Sequence, residues 1–368
     1  MSLLLEPYTL RKLTFLNRIA VSPMCQYSCV DGLANDWHLV HLGSRAVGGP
    51  GLIFTEAAAV TRDGRITPED LGLWNDEQIE PLQRITRFIE AQGAVAGIQL
   101  AHAGRKASTW RPWLSKQGSV PAQEGGWSTW GPSDIAFDSN HTTPTPLSES
   151  QIQDVIQAFV DAAKRALTAG FKVVELHAAH GYLLHQFLSP LSNQRSDQYG
   201  GSFENRIRLT LEITEAVRKV WPDELPLFVR VSATDWVEGG WNVDETVELA
   251  KRLKVLGVDL IDVSSGGTAA KADIPVGPGY QTAFAARVRH ESGIATGTVG
   301  MITEATQADT ILRTGQADLI LLARELLRDP YWPLRADENL GGRQAVWPAQ
   351  YQRATHRDQP IHESDLRD

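Results

Sequence analysis

Cysteine is nearly absent: the 368-residue chain carries two, Cys25 and Cys29. Two thiols spaced C-x-x-x-C cannot supply a disulfide framework, and they are too few for a structural zinc site. An excess of positive charge is absent too. Lys and Arg number 35 against 44 Asp and Glu, a formal net charge of −9. With no concentrated basic run, that balance excludes the usual nucleic-acid footprint and reads as solubility. No window approaches the ~18 apolar residues of a membrane span. Met1 to Tyr8 lack a cationic region followed by an apolar core, so no signal peptide is expected and a cytoplasmic location is the default.

What is present is a rhythm of short apolar strands and amphipathic helices. Tyr8 to Phe15 has the pattern of a small hairpin about Arg11-Lys12, and Arg18 to Ser22 is the first convincing strand. Further strands are expected at Gly51–Thr55, Ala94–Leu100, Val173 onward, Leu227–Val231, Val258–Val263, Ile294–Thr296 and Ala317–Leu322. Helices are expected between them, the first capped by Asp36 and another opened by a Ser148–Gln151 capping box. Eight strands, each followed by a helix, fit an α/β fold of the (β/α)8 TIM-barrel type. A doubly wound sheet shows the same count, because counting strands does not establish closure. No composition shift marks an internal boundary, so residues 1–347 are expected to form one domain. Within it, residues 106–146 read as a Trp-rich loop insertion after the third strand, and residues 348–368 as a C-terminal arm and tail.

The stretch Val173-Val-Glu-Leu-His177-Ala-Ala-His180-Gly-Tyr182 carries the chemistry. A β-branched strand delivers two imidazoles and a phenol from its C-terminal end into a loop broken by Gly181. Imidazoles exchange hydrogen bonds near neutral pH and a phenol has a transferable proton. Together they suit polarising a carbonyl and protonating the carbon beside it. A His-x-x-His metal site is the alternative; Glu175, on the same side of the strand as His177, and His102 could supply further ligands. In a barrel of this kind the chemistry sits at the C-terminal strand ends. Those ends also carry Ser22 to Tyr27, Ala57, Gln99, Arg230, Ser264 to Gly267, Gly297 to Gly300 and Ala323-Arg324. The glycines after strand seven and the guanidinium after strand eight suit a phosphate.

These segments resemble the old yellow enzyme family of flavin-dependent ene-reductases, and within it the thermophilic-like, or xenobiotic-reductase, branch. The resemblance rests on Ser22-Pro-Met-Cys-Gln-Tyr-Ser28, Gln99-Leu-Ala-His-Ala-Gly-Arg-Lys106, His177-Ala-Ala-His-Gly-Tyr182, Phe187 to Asn193, Asp197 to Ser202, Ala295 to Ile302 and Arg324 to Pro330. It implies a non-covalent FMN across the barrel mouth and NADPH or NADH as reductant. Ser22, Pro23, Met24 and Cys25 would line its N5/O4 edge, with Ala57 beside it and Gln99 on the pyrimidine ring. Arg230 would face N1/O2, and Gly300, Ala323 and Arg324 would hold the phosphate. His177 and His180 would bind the carbonyl oxygen of an enone, Tyr182 would protonate its α carbon, and Tyr27 would contribute a second phenol. Relatives of this branch also end in a Gln-Tyr-x-Arg segment, here Gln350 to Arg353, whose arginine enters a neighbouring subunit's site. That implies a homodimer or higher even oligomer with arm exchange, and Tyr351 and Arg353 would share one side of an extended segment.

Three features depart from the family pattern: Ala323 where many relatives have glycine, the longer Trp-rich insertion, and a charged tail after Ala354 that is expected to be disordered. The expected partners are a small enone and NAD(P)H, with no nucleic acid, membrane or metal. A metal-assisted hydrolase and a flavin-binding redox sensor using Cys25 are the competing functions. No Rossmann fingerprint exists from which to read the nicotinamide preference.

Overall fold

The computed structural model describes residues 2–342 and 344–355. Eight strands close into a barrel: β1 (Ile19–Val21), β2 (Leu52–Ala59), β3 (Val95–Ala101), β4 (Val173–Ala178), β5 (Leu227–Ser232), β6 (Leu260–Ser264), β7 (Ala295–Thr298) and β8 (Leu319–Leu322). Each pairs in parallel with its sequence neighbour, and β8 returns to β1 through Leu321 opposite Ala20. That last pairing is what strand counting cannot supply, and it excludes the doubly wound sheet.

Helices cover the outer faces of the strands, which are mostly apolar, as with Val174 and Leu176 of β4 and Val229 and Val231 of β5. The helix Glu149–Thr168, for example, buries Ile152, Val155 and Phe159, and Ser148 opens it with a reciprocal capping box. Inside, Phe54 and Phe228 meet with ring centroids 6.0 Å apart, packed with Leu52, Val95, Val173 and Leu260. These residues lie in the first half of their strands. The hairpin Tyr8–Leu10/Leu13–Phe15 covers that end, with Phe15 wholly buried against the same cluster.

Four details differ from the sequence expectation. Asn35, not Asp36, caps the first helix: its Oδ1 accepts the Trp37 N–H at 3.0 Å, and its own N–H donates to His38 Nδ1 at 3.1 Å. Strand β2 runs past Thr55 to Ala59, with a register shift against β3 between Phe54 and Ala57. The insertion gains structure of its own, as Trp130–Gly131 pairs with Thr145–Pro146. It is tied to the loop after β2 by Trp127 and Trp130, whose indole N–H groups donate to the Asp63 carbonyl and carboxylate at 2.8 and 2.6 Å. Finally, Ala349–Ala354 is a 3-10 helix and not extended. Residues two apart there are separated by roughly 240°, so Tyr351 and Arg353 do not share a side. The expected disorder of the tail concerns residues beyond Thr355, which lie outside the described residues.

Candidate active site

Side chains two apart on a strand share a face, and this builds the barrel interior in layers. Above the apolar floor come Gln99, Glu175, Arg230 and Asp262, all buried. Gln99 Nε2 donates to Glu175 Oε1 at 2.8 Å, and Arg230 Nε lies 2.9 Å from Asp262 Oδ2. Two carboxyls share this layer with one guanidinium. Burial, and then the Asp262 charge, push the Glu175 carboxyl up to about 8. Burial also raises Asp262, to about 6, against the pull of Arg230. Glu175 therefore keeps its proton at neutral pH.

Two residues further along the strands stand His177, Ser232 and Ser264. They meet the turn after β4, where His180 and Gly181 both take left-handed backbone, φ 59° and 72°. A Cβ on Gly181 would lie 2.1 Å from the Gly267 carbonyl oxygen, so only glycine fits. The His180 N–H donates to Ser232 Oγ at 2.9 Å, and its Nε2 is 2.7 Å from Ser264 Oγ. The His177 ring lies 5.2 Å from that of His180 and 5.1 Å from that of Tyr182. Burial, followed by the Arg230 charge, holds both imidazoles well below the usual histidine range, so both are neutral. Burial raises the Tyr182 phenol above its ordinary value.

Lys106 donates from Nζ to the His180 and Gly267 carbonyls at 2.8 and 3.0 Å, pinning the turn. Its ammonium is 5.1 Å from the Tyr182 ring centre. Burial and then Arg105 lower its pKa to about 8.

The other strand ends converge on the same mouth. Ser22 is buried at the end of β1, its hydroxyl without a hydrogen-bond partner among the described residues. Pro23, Met24 and Cys25 follow, half-buried. Burial, then Asp70 and Glu56, push the Cys25 thiol up, so it is protonated. Tyr27 is held at φ 48° with its ring against Trp113 of the insertion. Ala57 pairs with Gln99 across β2 and β3. On the far side, Gly300, Ala323 and Arg324 line a cleft of about 160 Å³. Gly300 has φ 125°, and a Cβ there would come within 2.9 Å of Gln281 and Tyr280.

One expected site residue is elsewhere. Gln350 and Gln352 line a cleft with Asn17, Gly49 and Gly93, which precede β1, β2 and β3. Exposed Arg353, in the same 3-10 helix, is thus at the end of its own barrel opposite the mouth. The metal alternative finds no support among the described residues, where no group of three converging ligands includes His177, His180, His102 or Glu175. Sequence reasoning overlooked Lys106, Ser232 and Asp262 as parts of the site. Stepping by two from Arg230 and Leu260 would have placed Ser232 and Asp262; nothing local reveals where the Lys106 ammonium lands.

The sequence model of the NADH:flavin oxidoreductase / NADH oxidase family matches residues 3–342. The chain belongs to that family. It is 50% identical over 342 residues to the NADPH dehydrogenase of Geobacillus sp. (strain WCH70), covering 92% of this chain and 95% of that protein. Identity to the NADPH dehydrogenase of Bacillus subtilis (strain 168) is 48% over 352 residues, or 95% and 98% of the two chains. Among solved structures, morphinone reductase in complex with tetrahydroNAD aligns with a TM-score of 0.76 at 25% identity, covering 94% of this chain and 93% of that one. The protein is an NAD(P)H-dependent flavin oxidoreductase of the old yellow enzyme family, with FMN as cofactor. The hydrolase alternative falls with that assignment.

The mouth suits such a guest. Ser22 Oγ and His177 Nδ1 are buried without hydrogen-bond partners among the described residues. Each such atom costs about 1–3 kcal/mol if left unpaired, a cost that a polar, anionic guest removes. No carboxylate is paired with Arg324 among the described residues, beside a cradle that a Cβ on Gly300 would fill.

The Glu175 carboxyl gives a pH test. Its folded pKa lies above the ordinary value of 4.5, so its contribution to stability is complete below that value and is lost as pH rises towards 8. Glu175→Gln keeps the neutral form. Between pH 5 and 8, urea denaturation of the variant should lack a downward slope of at most about 1.4 kcal/mol per pH unit present in the parent. Parallel stability curves for the two proteins would contradict this assignment.

Proposed function

We propose that the enzyme reduces the activated C=C bond of α,β-unsaturated carbonyl compounds, with NADPH or NADH as reductant. The observation that carries this reading is the convergence of two neutral imidazoles and a protonated phenol at the mouth, the His180 and Tyr182 rings lying 5.2 and 5.1 Å from that of His177. His177 and His180 donate to one carbonyl oxygen. This draws electron density from the β carbon and stabilises the enolate oxygen as charge develops there. Tyr182, protonated at every working pH, gives its proton to the α carbon, and the nearby Lys106 ammonium steadies the phenolate that remains. Tyr27, its ring against Trp113, supplies a second phenol.

Ser22, Pro23, Met24, Cys25, Ala57, Gln99 and Arg230 would hold the isoalloxazine ring of FMN, and Gly300, Ala323 and Arg324 its phosphate. When bound, FMN supplies the hydride. In this reading residues 1–347 form the FMN-binding unit and residues 348–368 an arm. The position of Arg353, opposite its own mouth, favours service in trans within a homodimer, where the partner's Arg353 completes each substrate site.

Two experiments follow. Tyr182→Phe keeps the ring and removes the proton, so stopped-flow traces should show nicotinamide-driven reduction preserved and turnover of 2-cyclohexenone slowed by roughly 10²–10⁴-fold. Both half-reactions unchanged would remove Tyr182 from the mechanism. For the arm, mixing Arg353→Ala subunits with Tyr182→Phe subunits should restore activity, because a heterodimer then has one site free of both lesions. No recovery, with heterodimers confirmed by mass, would rule out action in trans.

A further inference from the structure

Behind the loop that carries Cys25 and Tyr27 lies a second cluster to which the chemistry above assigns no task. Cys29, His38 and Glu56 are 2%, 2% and 3% exposed. Cys29 Sγ is 3.3 Å from His38 Nε2, which is 3.1 Å from Glu56 Oε1. The three atoms all fall within 4.8 Å of one another. We propose that they form a binding site for one soft divalent cation, Zn²⁺ or Cd²⁺, coupled to the flavin-binding loop.

Geometry is the first support. Tetrahedral zinc with S, N and O ligands at about 2.3, 2.0 and 2.1 Å has S···N and N···O edges of roughly 3.5 and 3.3 Å. The two observed separations are within a few tenths of an ångström of those edges; the thiol and carboxylate, which lie within 4.8 Å of each other, close on an ion to an edge of roughly 3.6 Å.

The donor set is the second. A thiolate and an imidazole select zinc-like ions over magnesium or calcium, and the carboxylate adds charge. The hydrogen bonding is the third. A single imidazole N–H cannot serve both the thiol and the carboxylate. Glu56 Oε1 is in fact buried without an aligned hydrogen bond, 3.1 Å from His38 Nε2.

The outer contacts fit as well. Glu56 Oε2 accepts the Gln26 N–H at 2.9 Å, which fixes that carboxylate. His38 Nδ1 is 3.2 Å from Asn35 Oδ1, an acceptor for the proton Nδ1 must carry when Nε2 binds a metal. In that state the Asn35 N–H loses its bond to Nδ1. The Cys29 proton leaves to solvent as the ion enters. Asp70 adds negative charge nearby but is no ligand, since its oxygens already accept from Ile66 and Thr67. Water takes the fourth position.

The coupling follows from the chain. Glu56 precedes Ala57, and the Gln26 N–H it holds lies between Cys25 and Tyr27. An ion that draws on Glu56 therefore pulls at two points lining the flavin, and this part of the inference rests on the flavin assignment.

The test is a Cd²⁺ titration of chelator-treated holoprotein. It is followed by the ultraviolet thiolate-to-cadmium band, by equilibrium dialysis and by the visible flavin spectrum. One ion per chain is expected, with a shift of the flavin band at the same equivalence point. Cys29→Ser should abolish the cadmium band and weaken binding beyond the ~10–100-fold that outer-shell partners command. Cys25→Ser should leave both in place. Glu56→Gln, nearly the same shape, should weaken binding at least about tenfold, and it decides the matter if Cys29→Ser fails to retain flavin. No stoichiometric ion in the parent protein, or a band that survives Cys29→Ser or disappears with Cys25→Ser, would overturn the site. Stoichiometric binding with an unmoved flavin spectrum would overturn the coupling alone.

Discussion

Inside the closed ring of strands, the Arg230 guanidinium meets Asp262 at 2.9 Å with almost no water in reach. A buried charge of that kind acts on Glu175, Asp262, His177 and His180 around it. One arginine cannot neutralise two carboxylates, so Glu175 keeps a proton. The same positive charge, added to burial, keeps His177 and His180 neutral. In the proposed reaction, two neutral imidazoles would donate to a carbonyl oxygen without giving it a proton outright, and a phenol held protonated beside them would supply the carbon. Were the barrel open on one side, water would enter and each group would return towards its ordinary value.

The turn after β4 turns this electrostatic setting into a shape. His180 and Gly181 adopt left-handed backbone against the Gly267 carbonyl, and three separate ties hold them there. Lys106 spans the His180 and Gly267 carbonyls. Ser232 accepts the His180 N–H. Buried His185 accepts the Gly181 N–H at 2.9 Å and lies 2.9 Å from Asp235. The tying side chains come from the loop after β3, from β5 and from the short helix Leu183–Leu188. Placement of the imidazoles thus draws on several parts of the barrel, as expected for a site whose geometry must hold within a fraction of an ångström.

Much of this was legible in the sequence, for identifiable reasons. Period-two alternation and β-branched runs mark the strands, and the run ending in His177 announces both its strand and the polar side chains at its end. Closure was not legible, because the pairing of Leu321 with Ala20 joins residues three hundred positions apart. Nor was the extension of β2, since Glu56-Ala-Ala-Ala59 has no β signature and Ala57 to Ala59 are held by pairing with Gln99 to Ala101 of β3. Asp36 and Asn35 are both good caps, and the choice fell to Asn35 because His38 answers its N–H. The 3-10 form of Ala349–Ala354 went unseen because six polar and small residues carry no periodicity. Cys29 looked like an isolated thiol until the first helix and β2 brought His38 and Glu56 to it.

The central claim is that both mouth imidazoles are neutral because burial and Arg230 keep them so. It is tested most directly by NMR of holoprotein labelled with ¹⁵N-histidine, following the ring nitrogens of His177 and His180 from about pH 8 down to about pH 5. Assignment comes from the single His→Gln variants. The account predicts that both rings keep the chemical shifts of neutral imidazole across the whole range. A titration of either ring with a midpoint near the ordinary value of about 6.5 would contradict it.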